Sequence, residues 1–223
     1  MKMSGLKVGV DVPWVTSWTA EPVIGVRPCL SVGGRPALVQ TEAPGMGKPE
    51  YSKNHLLRQR LSVARMLCPM CGQPTTPEDR WTQVARRVPA GMLRRQGRGD
   101  GLGADIDDGA ILLDAGAIAP LHKACSDRSL RYCPHLRADP NVNVLPFPAQ
   151  WTFTPLLIEA TPRADPLRPG DAPPPPFAVV TFLQLCGLTG RRDPRWKQNR
   201  LRYRPAARSA SVHKLAAHPA EPL

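Results

Sequence analysis

Two short spacings carry the clearest chemistry in this chain: Cys68-Pro-Met-Cys71-Gly72, and His122-Lys-Ala-Cys125 about fifty residues later. Two thiols separated by two residues in a Gly-ended turn can both reach one ion. A His and a Cys at i and i+3 near a helix start can reach the same ion from the other side. Cys68, Cys71, His122 and Cys125 form a donor set of the N/S type that Zn²⁺ prefers, and four protein ligands leave no open coordination position. Such a closed site folds a small domain and holds no water to activate.

Cys133 and His135 compete for the same role. On a continuous helix Cys133 lies eight residues beyond Cys125, about 12 Å along the axis. One Zn²⁺, with Zn–S near 2.3 Å, cannot hold both. Cys133 is therefore expected as a core residue beneath the site and His135 as a cap or loop residue. A ligand set using either of them, or disulfides among the six cysteines, are the alternatives. Catalytic zinc finds little support. No His-x-Glu precedes a Pro-Cys-x-x-Cys as in a deaminase, and no Asp-His pair precedes the helix as an HNH-type nuclease would require. Asp105, Asp107 and Asp108 crowd one loop, but Gly109 and the missing distal Glu depart from a calcium loop.

These ligands need elements to hold them. A helix is expected over Lys53–Met66, capped by Ser52, with Leu57, Leu61 and Ala64 as an apolar stripe and Arg58 and Arg65 on a charged face. It runs directly into Cys68. Trp81–Ala85 and Ile111–Asp114 read as strands of a hairpin, with residues 94–109 as a polar insertion. Pro120 then sets up a helix from about His122 that ends before Pro134. Knuckle, hairpin and helix in that order are what a treble clef requires. Knuckle amides and the helix dipole are both expected to lower the thiol pKa values. Further β-prone runs occur at Leu6–Val12, Val23–Val26 and Ala37–Gln40, with Gly33-Gly34 as a turn. Others occur at Val142–Leu145, Trp151–Ile158 and Phe177–Cys186. Cys29, beside Pro28, reads as a small buried hydrophobe.

The fold class expected is α+β, a small β-rich domain around a central treble-clef zinc module with a disordered basic tail. The divisions are 1–50 (β-rich), 51–136 (zinc module), 137–190 (β-rich with a Pro-rich linker at 162–176) and 191–223 (tail). Pro and Gly make up about a fifth of the chain and aromatics only 5%, so short elements and long connections are expected. No run of some 18 apolar residues spans a bilayer, and the N-terminus lacks the apolar stretch of a signal peptide. A cytoplasmic protein with no membrane partner is the expectation.

A formal charge of +12 and a pI near 10 favour an anionic partner, nucleic acid first. Ten Lys/Arg lie between Lys53 and Arg98, and nine between residues 191 and 214 against Asp193. Arg58, Arg65, Arg86, Arg87, Arg94 and Arg95 are the candidate phosphate contacts, with no base specificity. Arg outnumbers Lys about three to one, so GC-rich coding bias is the competing source of the charge. A protein partner, with the chain as a rigid adaptor, is the alternative. An HNH-related nuclease comes third.

From Arg58-Gln-Arg60 through Cys68-Pro-Met-Cys71-Gly72 to Pro120-Leu-His122-Lys-Ala-Cys125 and Arg131-Tyr-Cys133-Pro-His135-Leu, the chain resembles a group of uncharacterised bacterial and phage-encoded proteins. The resemblance covers residues 51–136. It implies a zinc-binding treble clef in a phage or prophage setting, and it carries no assigned activity.

Overall fold

In the computed structural model, which describes residues 2–99, 101–160 and 176–192, the apolar run beginning at Phe177 becomes the organising strand. The elements in chain order are β1 (Thr16–Trp18), β2 (Val23–Cys29), β3 (Arg35–Gln40), β4 (Pro49–Asn54), α1 (Leu56–Arg65), β5 (Trp81–Thr82), β6 (Arg86–Pro89), α2 (Ala90–Arg95), β7 (Ala110–Gly116), α3 (Lys123–Tyr132), α4 (Pro134–Ala138), β8 (Leu145–Pro146), β9 (Trp151–Ala160) and β10 (Phe177–Arg192). The architecture is β-rich. A six-stranded sheet runs β2-β3-β10-β7-β6, with β9 also on β10, and two small sheets pair β1 with β4 and β5 with β8. Its strands therefore come from residues 23–40, 86–116 and 151–192.

β10 pairs with β9 along its length, from Phe177↔Ala160 to Gly187↔Trp151. Its other edge is shared. β3 meets it in parallel at Val180↔Ala37, and β7 pairs antiparallel from Leu185↔Gly116 onward. Alternation along the strands sends side chains to opposite faces. Leu113, Ala115, Leu183 and Leu185 join Val63 and Met66 in one apolar cluster. Leu112 and Cys186 join Ala90, Leu93 and Leu102 in another. The sheet is thus covered by α1 on one face, and by α2 with its following loop on the other.

Several expectations change in detail. The hairpin is β6–β7, from Arg86↔Asp114 to Pro89↔Ile111. Trp81–Thr82 instead pairs with Leu145–Pro146, and Trp81 also bridges Leu121. The insertion between hairpin strands contains α2, because Leu93 finds apolar cover against Leu112 and Leu102. Leu6–Val12 forms turns and isolated bridges rather than a strand. α1 begins at Leu56 with His55 as its N-cap, since Ser52 and Lys53 are held in β4. The strands at β2, β3, β9 and β10 and the end of α3 before Pro134 match expectation. The linker at 162–176, apart from residue 176, and the tail beyond residue 192 lie outside the described residues. Among the described residues no helix is long and apolar enough to cross a membrane.

Candidate metal centre

The chain reaches the first thiol pair through an abrupt stop. α1 ends at Met66 in the left-handed conformation (φ 51°), whose N–H returns to the carbonyls of Ser62 and Val63. The segment then turns back on itself. Cys68 N–H donates to Gln73 O at 2.8 Å, Gly72 N–H to Cys68 O at 2.8 Å, and Thr75 N–H to Met66 O at 2.9 Å. Gly72 is required twice over: its φ is 76°, and a Cβ there would stand 2.8 Å from the Trp14 ring. Trp14 and Val15 donate their N–H groups to Met70 and Pro69 carbonyls, so the N-terminal segment clamps the turn from outside.

The second pair is held by α3. Trp81 and Leu121 exchange backbone hydrogen bonds of 2.8 Å, fixing where the helix starts. His122 occupies the N-cap position. The Lys123 N–H donates to Asp79 Oδ1 at 2.7 Å, which satisfies a first-turn donor and places a carboxylate at the positive helix end. Gln83 Nε2 donates to Ser126 O, Ser126 Oγ and Ser129 Oγ, locking the buried side of α3 to the chain after β5.

The four donor atoms of Cys68, Cys71, His122 and Cys125 all lie within 4.8 Å of one another, close enough to hold one metal ion. His122 Nδ1 stands 3.4 Å from Cys71 Sγ and 3.9 Å from Cys125 Sγ. Around a tetrahedral Zn²⁺, Zn–S near 2.3 Å and Zn–N near 2.05 Å give an N···S edge of about 3.6 Å. His122 Nε2 lies 3.1 Å from Pro74 O. That carbonyl fixes the Nε2–H tautomer, leaving the Nδ1 lone pair facing the thiols, as outer-shell partners of metal-bound imidazoles do. The residues therefore fit a closed four-ligand metal site.

The electrostatics point the same way. Burial pushes the Cys68 thiol up, and the backbone N–H groups of Cys71, His122 and Met70 only partly offset it, with the neighbouring Cys71 raising it further. Burial, then the charges of Cys68 and Cys71, push Cys125 up to about 12. The amides at Cys68 act in the expected direction, but burial outweighs them, and the neighbouring thiols add to the rise. Only a cation at their centre would turn this repulsion into attraction.

Cys133 and His135 do not join the cluster. Cys133 ends α3 and precedes α4. It is half-buried rather than a core residue, because the chain breaks there instead of continuing under the site. His135 is exposed on α4. Cys29 is likewise only partly buried, although it packs against the core.

The six arginines fall into two groups. Arg65, Arg86, Arg87 and Arg95 are exposed. Arg58 is 2% exposed and unavailable to a phosphate. Its Nη1 and Nη2 donate to Glu21 Oε1 and Oε2 at 2.7 Å each, and Nη2 also to Thr16 O. Arg94 is committed as well, to Asp108 and to the carbonyls of Gly103 and Ile106. A guanidinium thus fills the centre of the acidic loop.

Sequence reasoning missed the polar network around α1. Arg58, Gln59 and Arg60 are all buried. Gln59 Nε2 donates to Leu183 O and Ala117 O, while Leu183 N–H donates to Gln59 Oε1. Arg60 donates to Thr181 O and Leu38 O. Thr181 and Leu183 lie on β10 between its β3 and β7 pairings, so these side chains stand in for strand neighbours at the break. His55 accepts from Arg58 N–H through Nδ1, and its Nε2 lies 3.1 Å from Thr41 O. That pattern identifies a neutral imidazole, and burial with the nearby Arg58 charge keeps its pKa low. Burial raises Glu21, but Arg58 and the N–H groups of Ala43 and Trp18 overcome this and hold it below the ordinary carboxylate value. The only signal available beforehand was the Arg-Gln-Arg run inside a helical pattern.

No protein-family model, curated protein or solved structure matches this chain.

Proposed function

We propose that this chain is a zinc-binding protein in which a structural Zn²⁺, held by Cys68, Cys71, His122 and Cys125, closes a treble-clef module, and that the module presents a nucleic-acid-binding surface. The observation that carries the zinc reading is the convergence of three thiols and an oriented imidazole within 4.8 Å. The knuckle, the β6–β7 hairpin and α3 follow one another in treble-clef order. The zinc would supply charge neutralisation and a cross-link between knuckle and helix, with no substrate chemistry. A bacterial or phage setting belongs to the same proposal through the motif resemblance, and a cytoplasmic one through the Cys-x-x-Cys pair, which in a reducing compartment binds metal more often than it forms a disulfide.

The nucleic-acid reading is supported by the +12 charge and by the exposure of Arg65, Arg86, Arg87 and Arg95. Non-specific binding through such residues weakens steeply with salt. Purified chain should carry one zinc and bind DNA or RNA at low salt, with affinity falling as salt rises. Absence of zinc, or binding that ignores salt, would count against the corresponding half.

An adaptor role has its own observation. β2 forms one edge of the main sheet, and its Val23, Ile24 and Val26 are 54%, 57% and 38% exposed. Such an edge can accept a partner's strand. A stoichiometric protein partner surviving nuclease treatment would favour this reading. The nuclease reading loses ground because both ring nitrogens of His122 are committed.

A further inference from the structure

A cleft of about 1220 Å³ opens beside the metal centre, between the N-terminal loop, the β4–α1 segment and the α3–α4 corner. That exceeds the roughly 300–1,000 Å³ of a small-molecule site and suits an extended ligand. Two features of its lining point to one ligand chemistry.

The first is aromatic. The chain has only three tyrosines. Tyr51 from β4 and Tyr132 from α3 both line this cleft, with 65% and 71% of their surfaces exposed. The third, Tyr203, lies outside the described residues. A chain poor in aromatics has placed two open ring faces at one cleft, where neither contributes to the core.

The second is charge. Lys123 and Asp127 on α3 satisfy each other at 2.5 and 2.7 Å, which leaves Arg128, Arg131 and Arg137 as the remaining charges of α3 and α4. Arg128 lines the cleft, and so does His135. The one carboxylate in the lining, Asp11, accepts the Lys7 N–H at 2.8 Å, and Asp139 beyond α4 is engaged by Asn141. Positive charge bordering open aromatic faces is the pattern that binds single strands, because bases stack on the rings while phosphates meet the cations. A duplex hides its base faces and cannot use the tyrosines.

Resting on the nucleic-acid reading above, we propose that this cleft takes a single-stranded nucleic acid, with bases on Tyr51 and Tyr132 and the backbone phosphate at Arg128. It moves the principal contact away from the arginines of α1, α2 and β6.

Fluorescence anisotropy with the full, metal-loaded chain tests it, using ~15-nucleotide labelled thymidine and uridine oligomers and a duplex of equal length. Single strands should bind more tightly than the duplex, and the thymidine and uridine arms tell DNA from RNA. Tyr51→Ala and Tyr132→Ala should each weaken single-strand binding on the order of tenfold, while Tyr132→Phe retains it. Both rings are exposed, so melting temperatures should not move. If the strands bind but neither tyrosine matters, or the duplex binds as well, the cleft proposal falls and the broader nucleic-acid reading stands. If none of the three ligands binds, both fall.

Discussion

At the Cys68–Cys125 cluster, three thiols and an imidazole converge with no counter-charge among them, and burial with mutual repulsion drives the thiol pKa values up. Around α1 the opposite holds. Glu21 and Arg58 supply both signs, and Glu21 accepts from Arg58, Trp18 and Ala43. His55, Gln59 and Arg60 meet backbone groups that no strand reaches. One polar centre carries both signs of charge among its own side chains and leaves only the Arg58 and Arg60 Nε groups without a partner; the other gathers four donor atoms of the kind that hold a cation. The comparison separates a site assembled for a ligand from a network assembled for the fold.

The largest effect should come from removing the ligand that only the first region needs. Cys68→Ser or Cys125→Ser, or chelation of the wild type, should release the metal and unfold the knuckle and α3. Metal affinity at such sites is folding free energy, on the order of 10 kcal/mol. Hydrogen exchange should then show lost protection at Leu67–Thr75 and across α3, with β9 and β10 less affected. Equal loss everywhere would erase the distinction between the regions.

Next comes Arg58→Met, which leaves Glu21 buried without its partner and should cost about 3–5 kcal/mol while zinc content stays at wild-type level. Zinc loss in that variant would couple the two regions. Gln59→Leu should follow at about 3 kcal/mol, since it strands the Leu183 N–H and two carbonyls; urea midpoints measure both.

The two regions should also part company in acid. His55 and Glu21 both have pKa values below their ordinary 6.5 and 4.5. The unfolded chain therefore takes up protons that the native chain excludes, and stability rises with pH. The His55 contribution is present above pH 6.5 and is lost as pH falls from there toward its folded value. The Glu21 contribution is present above pH 4.5 and is lost as pH falls through its lower folded value. His55→Gln should flatten the loss just below pH 6.5 while zinc content stays at the wild-type level. An unaltered profile would show that His55 titrates normally. The smallest effect expected is from Arg86→Ala with Arg87→Ala, two exposed strand residues: within about 0.5 kcal/mol of wild type by thermal melting.

This contrast also explains what could be read in the sequence. Ligand chemistry is written locally, so Cys68, Cys71, His122 and Cys125 were legible from two spacings, as were the apolar strands of the sheet and the helix stop before Pro134. The α1 network was not. Arg58 and Glu21 are 37 residues apart, and Gln59 meets Leu183 across 124. Nothing local distinguishes an Arg that pairs internally from one that faces solvent. The hairpin register was misplaced for a similar reason. Trp81 has a partner at Pro146, beyond the span in which hairpin strands normally find each other, so the strand that pairs with β7 begins four residues past the Trp81–Thr82 pair.

The most direct test of the central claim is Co²⁺ substitution of the full chain, followed by its visible spectrum. If Cys68, Cys71, His122 and Cys125 form one closed site, a single Co²⁺ per chain should give the intense absorption of tetrahedral cobalt with thiolate charge-transfer bands, and Cys68→Ser and Cys125→Ser should each abolish or shift them. A weak octahedral spectrum, or a tetrahedral one unchanged in both variants, would contradict the assignment.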